Sequence, residues 1–432
     1  MKKETRKRGK EMGKLTIAEA LKQKKIKQPD AMYNVLGWVW KTFVAKKYNA
    51  HYTIKRGPAE ENGPFIMISN HASRMDYIYT GIPVLPKRMN YVAGYNEFFR
   101  GHLALVFGLL KVIPKRNFVP DNYTIREVNR VLKGGGNIMI FPEGMSSISG
   151  ANQPVAIGTG KLLKLYKLPV YYSVIKGGYL TSPKYNLKDR PGKVEVVIDQ
   201  LFTPEDLKIL TPEEIEDRVN EAIYHDDYAW NKVEKNHYAI GENGAEHMED
   251  LLFWCPKCHC QHTMRGEGNK FYCTSCGNGA MLTDTYEMIP FDDTCVIPET
   301  QTMWFNLQRE EIKKEISDPA FVLTEKVKLG NLPEYKYLKN NATSEIVGEG
   351  VLTLDRTGLS YDGTRNGEEF HFHIPSLSLP TYGMCTDLSR FYTFYNGEFM
   401  EFYPENNVVE KFFLATEEIH RLNGGKWQGF KF

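Results

Sequence analysis

Pro64-Phe65-Ile66-Met67-Ile68-Ser69-Asn70-His71-Ala72-Ser73-Arg74-Met75-Asp76 is the stretch from which the rest of the chain is read. Its short apolar run predicts a buried strand. The run ends in a polar cluster holding a histidine and, five residues later, an aspartate. A carboxylate can fix an imidazole's tautomer and stabilise its charged form, so the pair has the makings of a general-base unit. Five residues of helix would turn the two side chains about 140° apart. The motif is therefore expected to straddle a strand-to-helix turn. The plainer reading is a solvated surface histidine.

A second segment has the same plan. Gly134-Gly135-Gly136 leads into Asn137-Ile138-Met139-Ile140-Phe141 and then Pro142-Glu143-Gly144. A turn, a buried strand and a charged residue at the strand's carboxyl end stand where open α/β sheets place ligands. Together the two segments resemble the glycerolipid acyltransferase family, also called the lysophosphatidic-acid acyltransferase family. The likeness rests on a His-x4-Asp box, His71 to Asp76, and a Phe-Pro-Glu-Gly box, Phe141 to Gly144. Two weaker blocks fall in the family's order: Ile113-Pro114-Lys115-Arg116, and Leu168-Pro169-Val170-Tyr171-Tyr172-Ser173-Val174. The resemblance covers residues 30–225.

The resemblance implies direct transfer of a fatty acyl group from a thioester donor to a hydroxyl of a glycerol-phosphate-type lipid. His71 would take the hydroxyl's proton and Asp76 would orient His71. Arg116, with Lys115, would meet an anionic head group, since a guanidinium matches a phosphate bidentately. Glu143 would hold an acceptor hydroxyl or clamp Arg116, and Gly144 would allow close backbone approach. The chain has no Gly-x-Ser-x-Gly nucleophile elbow, in keeping with direct transfer. After its second box the family commonly continues Thr-Arg-Ser, whereas here Met145-Ser146-Ser147 stands. That arginine is absent, and Arg74 inside the first box adds a cation instead. The donor stays open between acyl-coenzyme A and acyl carrier protein, and the acceptor is a lysophospholipid or a related compound. The competing reading is a membrane-associated lipid- or protein-binding scaffold that has lost activity.

The 432 residues suffice for two or three domains, and 42% hydrophobic with 25% charged residues is ordinary for a soluble globular protein. No apolar run reaches the roughly 18 residues of a membrane span. No signal-peptide apolar region opens the chain, so a cytoplasmic protein is expected. Residues 1–28 carry eleven Lys/Arg against three Glu. Such a basic arm beside a lipid-enzyme signature points to anionic lipid on the inner face of a membrane rather than to nucleic acid. The bland alternative is a solubilising tail.

Residues 31–48 read as an amphipathic helix, with Met32, Leu36, Val39, Trp40, Phe43 and Val44 at helical spacing. It lies either on a membrane interface or on the domain core. Strands are then expected at 65–69, 91–94, 137–141, 170–175 and 193–198, and helices near 76–82, 122–133 and 156–167. This alternation predicts a mainly parallel α/β sheet flanked by helices. The apolar stretch 103–110 reads as a buried helix or as a wall of an acyl-chain groove. Gly158-Thr159-Gly160-Lys161 lacks the rest of a phosphate loop and is read as a helix start. Residues 203–228 are acidic and helical, with Pro204 and Pro212 as first-turn signals.

Cys255 and Cys258, then Cys273 and Cys276, form two Cys-x2-Cys knuckles. Their spacing predicts a four-cysteine zinc ribbon with a structural Zn²⁺, closed to catalysis because no ligand position is left open. His259, Cys260, Cys295 and Cys385 are read as bystanders. A connecting helix over 298–316 comes next, with Trp304, Phe305 and Ile312 inward. Short alternating strands come after it, separated at Asp362-Gly363 and Asn396-Gly397, and a terminal helix over 415–422 closes the chain. This β-rich, barrel-like end with one helix resembles a pleckstrin-homology-like domain. The expected division is a basic arm (1–29), an acyltransferase domain (30–230), a zinc ribbon (250–285) and a β-rich domain (286–432).

Overall fold

The computed structural model describes residues 15–339 and 342–426, so the first fourteen residues of the basic arm lie outside it. Seven strands form the first sheet: β1 (Ala50–Ile54), β2 (Ile66–Ser69), β3 (Met89–Gly94), β4 (Ile113–Lys115), β5 (Asn137–Ile140), β6 (Val170–Lys176) and β7 (Val194–Phe202). Their order is β1-β7-β6-β2-β5-β3-β4. Every neighbouring pair is parallel except β6 with β7. All four residues of β2 are buried, which is why this continuous apolar run takes the middle of the sheet. β1, with only a half-covered face, was invisible in the sequence.

The helices flank the sheet as expected. Asn122–Lys133 opens with Asp121 accepting from the N–H groups of Tyr123 and Thr124, and it buries Val128, Val131 and Leu132 on one face. Thr203 with Asp206, and Thr211 with Glu214, form reciprocal capping boxes at the two acidic helices.

Two helices differ from expectation. The helix read over 31–48 is Met32–Val39, a π-helical turn Trp40–Val44 and Ala45–Lys47. Tyr33, Gly37 and Trp40 face the core, while Met32, Val35, Val39 and Phe43 face outward, and Trp38 is 62% exposed. The stretch read as a buried helix is the helix Ala104–Leu109, and none of its residues is buried. Phe107 packs on Phe98 at 4.8 Å between ring centroids, and Leu105 on the uncovered side is 73% exposed.

The second half begins with a four-stranded antiparallel sheet: β8 (Met264–Glu267), β9 (Lys270–Cys273), β10 (Gly279–Leu282) and β11 (Met288–Pro290). The helix Gln301–Ser317 comes next, with Trp304, Phe305 and Ile312 buried. Then come β12 (Val322–Asn331), β13 (Glu345–Asp355), β14 (Gly358–Arg365), β15 (Glu368–Pro375), β16 (Gly383–Met384), β17 (Phe391–Tyr395) and β18 (Glu398–Pro404). They make one antiparallel sheet in the order β15-β14-β13-β12-β18-β17-β16. The break expected at Asp362-Gly363 lies inside β14, where both residues pair with β13 and β15. The turn is instead Asn366-Gly367, with φ of 54° and 84°, and Asn396-Gly397 repeats it at 49° and 79°. The terminal helix runs from Val409 to Leu422 and is buried on nearly all sides.

The two halves share one apolar core, in which Tyr179, Tyr228, Trp304, Phe391 and Phe412 belong to the same cluster. Buried polar bonds cross it. Arg190 donates to the Gly244 carbonyl at 2.8 Å and to the Tyr286 hydroxyl at 3.0 Å, and that hydroxyl donates to the Leu180 carbonyl at 2.6 Å. Arg309 bonds Glu417 at 2.7 Å and Glu418 at 2.8 Å, pinning the terminal helix to Gln301–Ser317. Removing one member of a buried ion pair strands the others, at a cost of about 3–5 kcal/mol. Arg309→Ala is therefore expected to lower the urea midpoint for loss of the C-terminal sheet, and tryptophan fluorescence during unfolding would show it.

Candidate active site

β2 and β5 lie side by side in parallel register, Ile66 opposite Ile138 and Ile68 opposite Ile140. The chain leaves both strands at the same edge, so His71 and Glu143 emerge as neighbours. Beyond β2 the chain turns into the helix Asp76–Gly81, and the His–Asp motif straddles that turn. His71 Nδ1 lies 2.8 Å from Asp76 Oδ2. Asp76 is fully buried and also accepts from the Ser73 N–H at 2.9 Å and the Ser73 hydroxyl at 2.8 Å. Burial pushes its carboxyl up, and the bonds from His71 and Ser73 act against that shift.

An acceptor that already takes bonds on both oxygens makes Nδ1 the protonated nitrogen of the ring. Nε2 then carries the lone pair. The ring stacks on Phe141 at 4.5 Å and its side chain stays 25% exposed. A base held in one tautomer, with its other nitrogen making no hydrogen bond among the described residues, can take a proton from a hydroxyl.

Glu143 does not meet Arg116. Its carboxylate is fully buried, accepting from the His71 N–H at 2.5 Å and the Gln153 N–H at 2.7 Å. Burial holds it well above the usual carboxylate range. The Ser147 N–H returns the tie by donating to the His71 carbonyl at 2.6 Å. Gly144 adopts a φ of 80°, and its carbonyl accepts from Asn117 at 2.9 Å. A Cβ there would sit 3.2 Å from the Phe118 ring.

His71, Asp76 and Glu143 thus form one hydrogen-bonded group, and the expected cations stand apart from it. Arg74 donates to the Leu187 carbonyl and reaches Asp189 at 3.2 Å. The Lys115 ammonium donates to the Arg116 carbonyl, and burial pushes its pKa down. Arg116 donates its N–H to Asp121 at 2.8 Å, and its guanidinium lies over the Tyr95 ring at 5.4 Å. Asn117 carries no signal in the sequence that would have marked it, and Phe141, quoted as part of the second box, gave no sign that it would stack on the His71 ring.

The four cysteines converge elsewhere, with all their sulfurs within 4.8 Å of one another. Cys255 Sγ is 3.7 Å from Cys276 Sγ, and Cys258 Sγ is 3.7 Å from Cys273 Sγ. Sulfurs at ~2.3 Å from a tetrahedral zinc lie about 3.8 Å apart, so this donor set fits the metal. Asn278 and Thr263 place polar groups 3.7 and 3.2 Å from Cys255 and Cys273. The Cys260 sulfur contacts Ser275, outside the four.

Residues 48–175 match the family model described as Acyltransferase. The match begins just before β1, ends within β6 and contains both boxes with Arg74, Lys115 and Arg116. An acyltransferase domain therefore occupies this stretch. No curated protein matches the chain. Among solved structures, the 1-acyl-sn-glycerophosphate (LPA) acyltransferase PlsC from Thermotoga maritima is similar, with a TM-score of 0.39 and 20% identity over 47% of this chain and 79% of that one. No described helix is long and apolar enough to cross a membrane.

Glu143→Gln would turn an amide NH2 toward one of the two backbone N–H groups. Leaving that donor unsatisfied is expected to cost about 1–3 kcal/mol, read as a lower urea midpoint. The His71 ring resonances should shift at the same time, because its backbone loses an anchor.

Proposed function

We propose that the chain is an O-acyltransferase that moves a fatty acyl group from a coenzyme A or acyl-carrier-protein thioester to a hydroxyl of a glycerolipid-type acceptor. The observation that carries this is the His71–Asp76 pair, with Nδ1 engaged and Nε2 open, inside a matched acyltransferase domain. His71 Nε2 takes the acceptor's proton as the acceptor oxygen attacks the thioester carbonyl. The carbon–oxygen bond forms, the carbon–sulfur bond breaks, and the departing thiolate takes the proton from the imidazolium. Asp76 stabilises the charged ring, and Glu143 with Gly144 sets where it stands. Arg116 and Lys115 are the family-type partners of an anionic acceptor such as a lysophospholipid.

In this reading residues 30–230 carry the chemistry. Residues 250–285 form a ribbon around a structural zinc, and residues 286–432 form a β-rich domain of pleckstrin-homology-like plan. The exposed Met32, Val35, Trp38 and Phe43, coming after a basic arm, support peripheral attachment to an anionic membrane surface.

Loss of a general base lowers a rate by roughly 10²–10⁴. His71→Ala should reduce thioester consumption in the presence of lysolipids by that factor while the protein stays folded. Full activity in this variant would refute the mechanism. Elemental analysis should find one zinc per chain, and Cys273→Ser should lose it, since three thiolates and a hydroxyl hold the ion far less well.

A further inference from the structure

His71 is flanked in the chain by Asn70 and Ala72, and both meet the segment that ends β6. The Asn70 side chain donates to the Ile175 carbonyl at 2.8 Å and accepts from the Ile175 N–H at 2.7 Å. Two residues on, the turn Gly177-Gly178-Tyr179 packs against the box. A Cβ added at Gly178 would sit 3.0 Å from the Ala72 Cβ and 3.7 Å from Asp76 Oδ1. Glycine lets the backbone come this close. The turn therefore packs on the buried carboxylate that orients the His71 ring.

What holds the turn is Asp227, the first residue of the helix Asp227–Glu234. It is 1% exposed, and its carboxylate accepts from the Gly177 N–H at 2.6 Å and the Tyr179 N–H at 2.7 Å, one on each oxygen. His225 Nε2 lies 2.8 Å from the oxygen that Gly177 uses. The Asp227 N–H donates to the Gly150 carbonyl at 3.0 Å, and the Tyr179 hydroxyl donates to the Ile148 carbonyl at 2.6 Å. The turn is thereby fastened to the loop after β5, which also carries Glu143. Asp227 repeats the plan of Glu143, a buried carboxylate that spans two backbone N–H groups. Burial without such donors would be too costly, so carboxylate and turn are fixed together. Asp227 lies beyond the stretch 48–175 that the family model matches.

We propose, on the acyltransferase reading of His71, that Asp227 is a positioning residue for the His71–Asp76 pair. Through the Gly177–Tyr179 turn it keeps Ala72 and the Asp76 carboxylate in place, and with them the tautomer that leaves Nε2 for the acceptor's proton. It acts through the turn and not on the reacting atoms. With the turn loosened, Asp76 gains room to shift, and its bond to Nδ1 becomes one arrangement among several. The loss then falls on proton transfer, while the binding of either substrate is unchanged.

The test compares the full chain with Asp227→Asn. The amide oxygen still accepts from one N–H, but the NH2 group faces the other, and the turn loses an anchor. The kcat for acyl transfer from a thioester to a lysolipid should fall roughly 10–10²-fold, as it does for a base slightly out of place. The KM of each substrate should stay within about twofold, since no ground-state contact is removed. Nitrogen NMR of the His71 ring is the second readout. At alkaline pH the wild-type chain should show a protonated Nδ1 and a bare Nε2, and the variant a mixture of the two tautomers. Gly178→Ala, which sets a methyl group against Ala72, should move both readouts the same way and serves if Asp227→Asn fails to fold. Arg309→Ala, which loosens the terminal helix, should move neither. An unchanged kcat and tautomer in the folded variant would overturn the proposal, as would a loss that falls on either KM. A fall in kcat with the tautomer unaltered, or an equal fall in Arg309→Ala, would mean general loosening and overturn it too. A wild-type chain that transfers no acyl group, but whose His71 tautomer depends on Asp227, would sink the enzyme reading and leave the positioning role standing.

Discussion

A single buried carboxylate, Glu143, holds the candidate site together. It is cut off from water, and its two oxygens are met by the backbone N–H groups of His71 and Gln153. The bond from His71 joins the loop after β2 to the loop after β5, the bond from Gln153 folds that second loop back on itself, and the bond from Ser147 to the His71 carbonyl closes the link. A buried carboxylate without such partners would be too costly to keep. The loops therefore have little freedom to separate, and the His71 ring is carried on a backbone fixed at both ends. Asp76 meets the same demand on the side-chain face, because its burial is offset by three donors, one of which is the His71 ring. The geometry that orders the imidazole is the geometry that satisfies the buried charges.

The second half is built into the first. Arg190, deep in the molecule, ties the segment after β6 to the chain ahead of the cysteine cluster. Tyr286 and Thr302 reach back to Leu180 and Ser149. Tyr392 of β17 comes within 3.5 Å of Asn117, which in turn holds Gly144. A β-rich appendage would need none of these bonds. Through Tyr392 and Asn117 the C-terminal sheet comes up against the loop that carries Gly144.

Much of the site's inner shell was legible in the sequence, and for a local reason. The apolar runs ending at Ser69 and Ile140 have to be buried strands, and parallel strands deliver the residues beyond their carboxyl ends to one edge of the sheet. The pairing of β2 with β5, across β3 and β4 in the chain, is what the fold adds, and it brings His71, Asp76 and Glu143 within reach of each other. The role expected for Glu143 was less legible, because whether a glutamate faces a cation or two backbone donors depends on which loop folds over it. The helix Ala104–Leu109 shows the same limit. Its composition reads as core, yet no element covers its outer side, and composition carries no record of what a neighbouring segment does. Asp362-Gly363 likewise reads as a turn, but its partners on β13 and β15 hold it extended.

By itself, then, the sequence determined the strand–turn–helix setting of His71, the capped helices around it and the four-sulfur spacing. Each of these is written in residues close together along the chain. Only the tertiary structure decided that Glu143 meets two backbone donors rather than a cation, and that Tyr392 of the C-terminal sheet comes within 3.5 Å of Asn117 beside Gly144. Those residues come from segments with no common periodicity, separated by as much as the distance from the first box to β17. Their association is a product of burial, and burial is fixed by packing that no local pattern encodes.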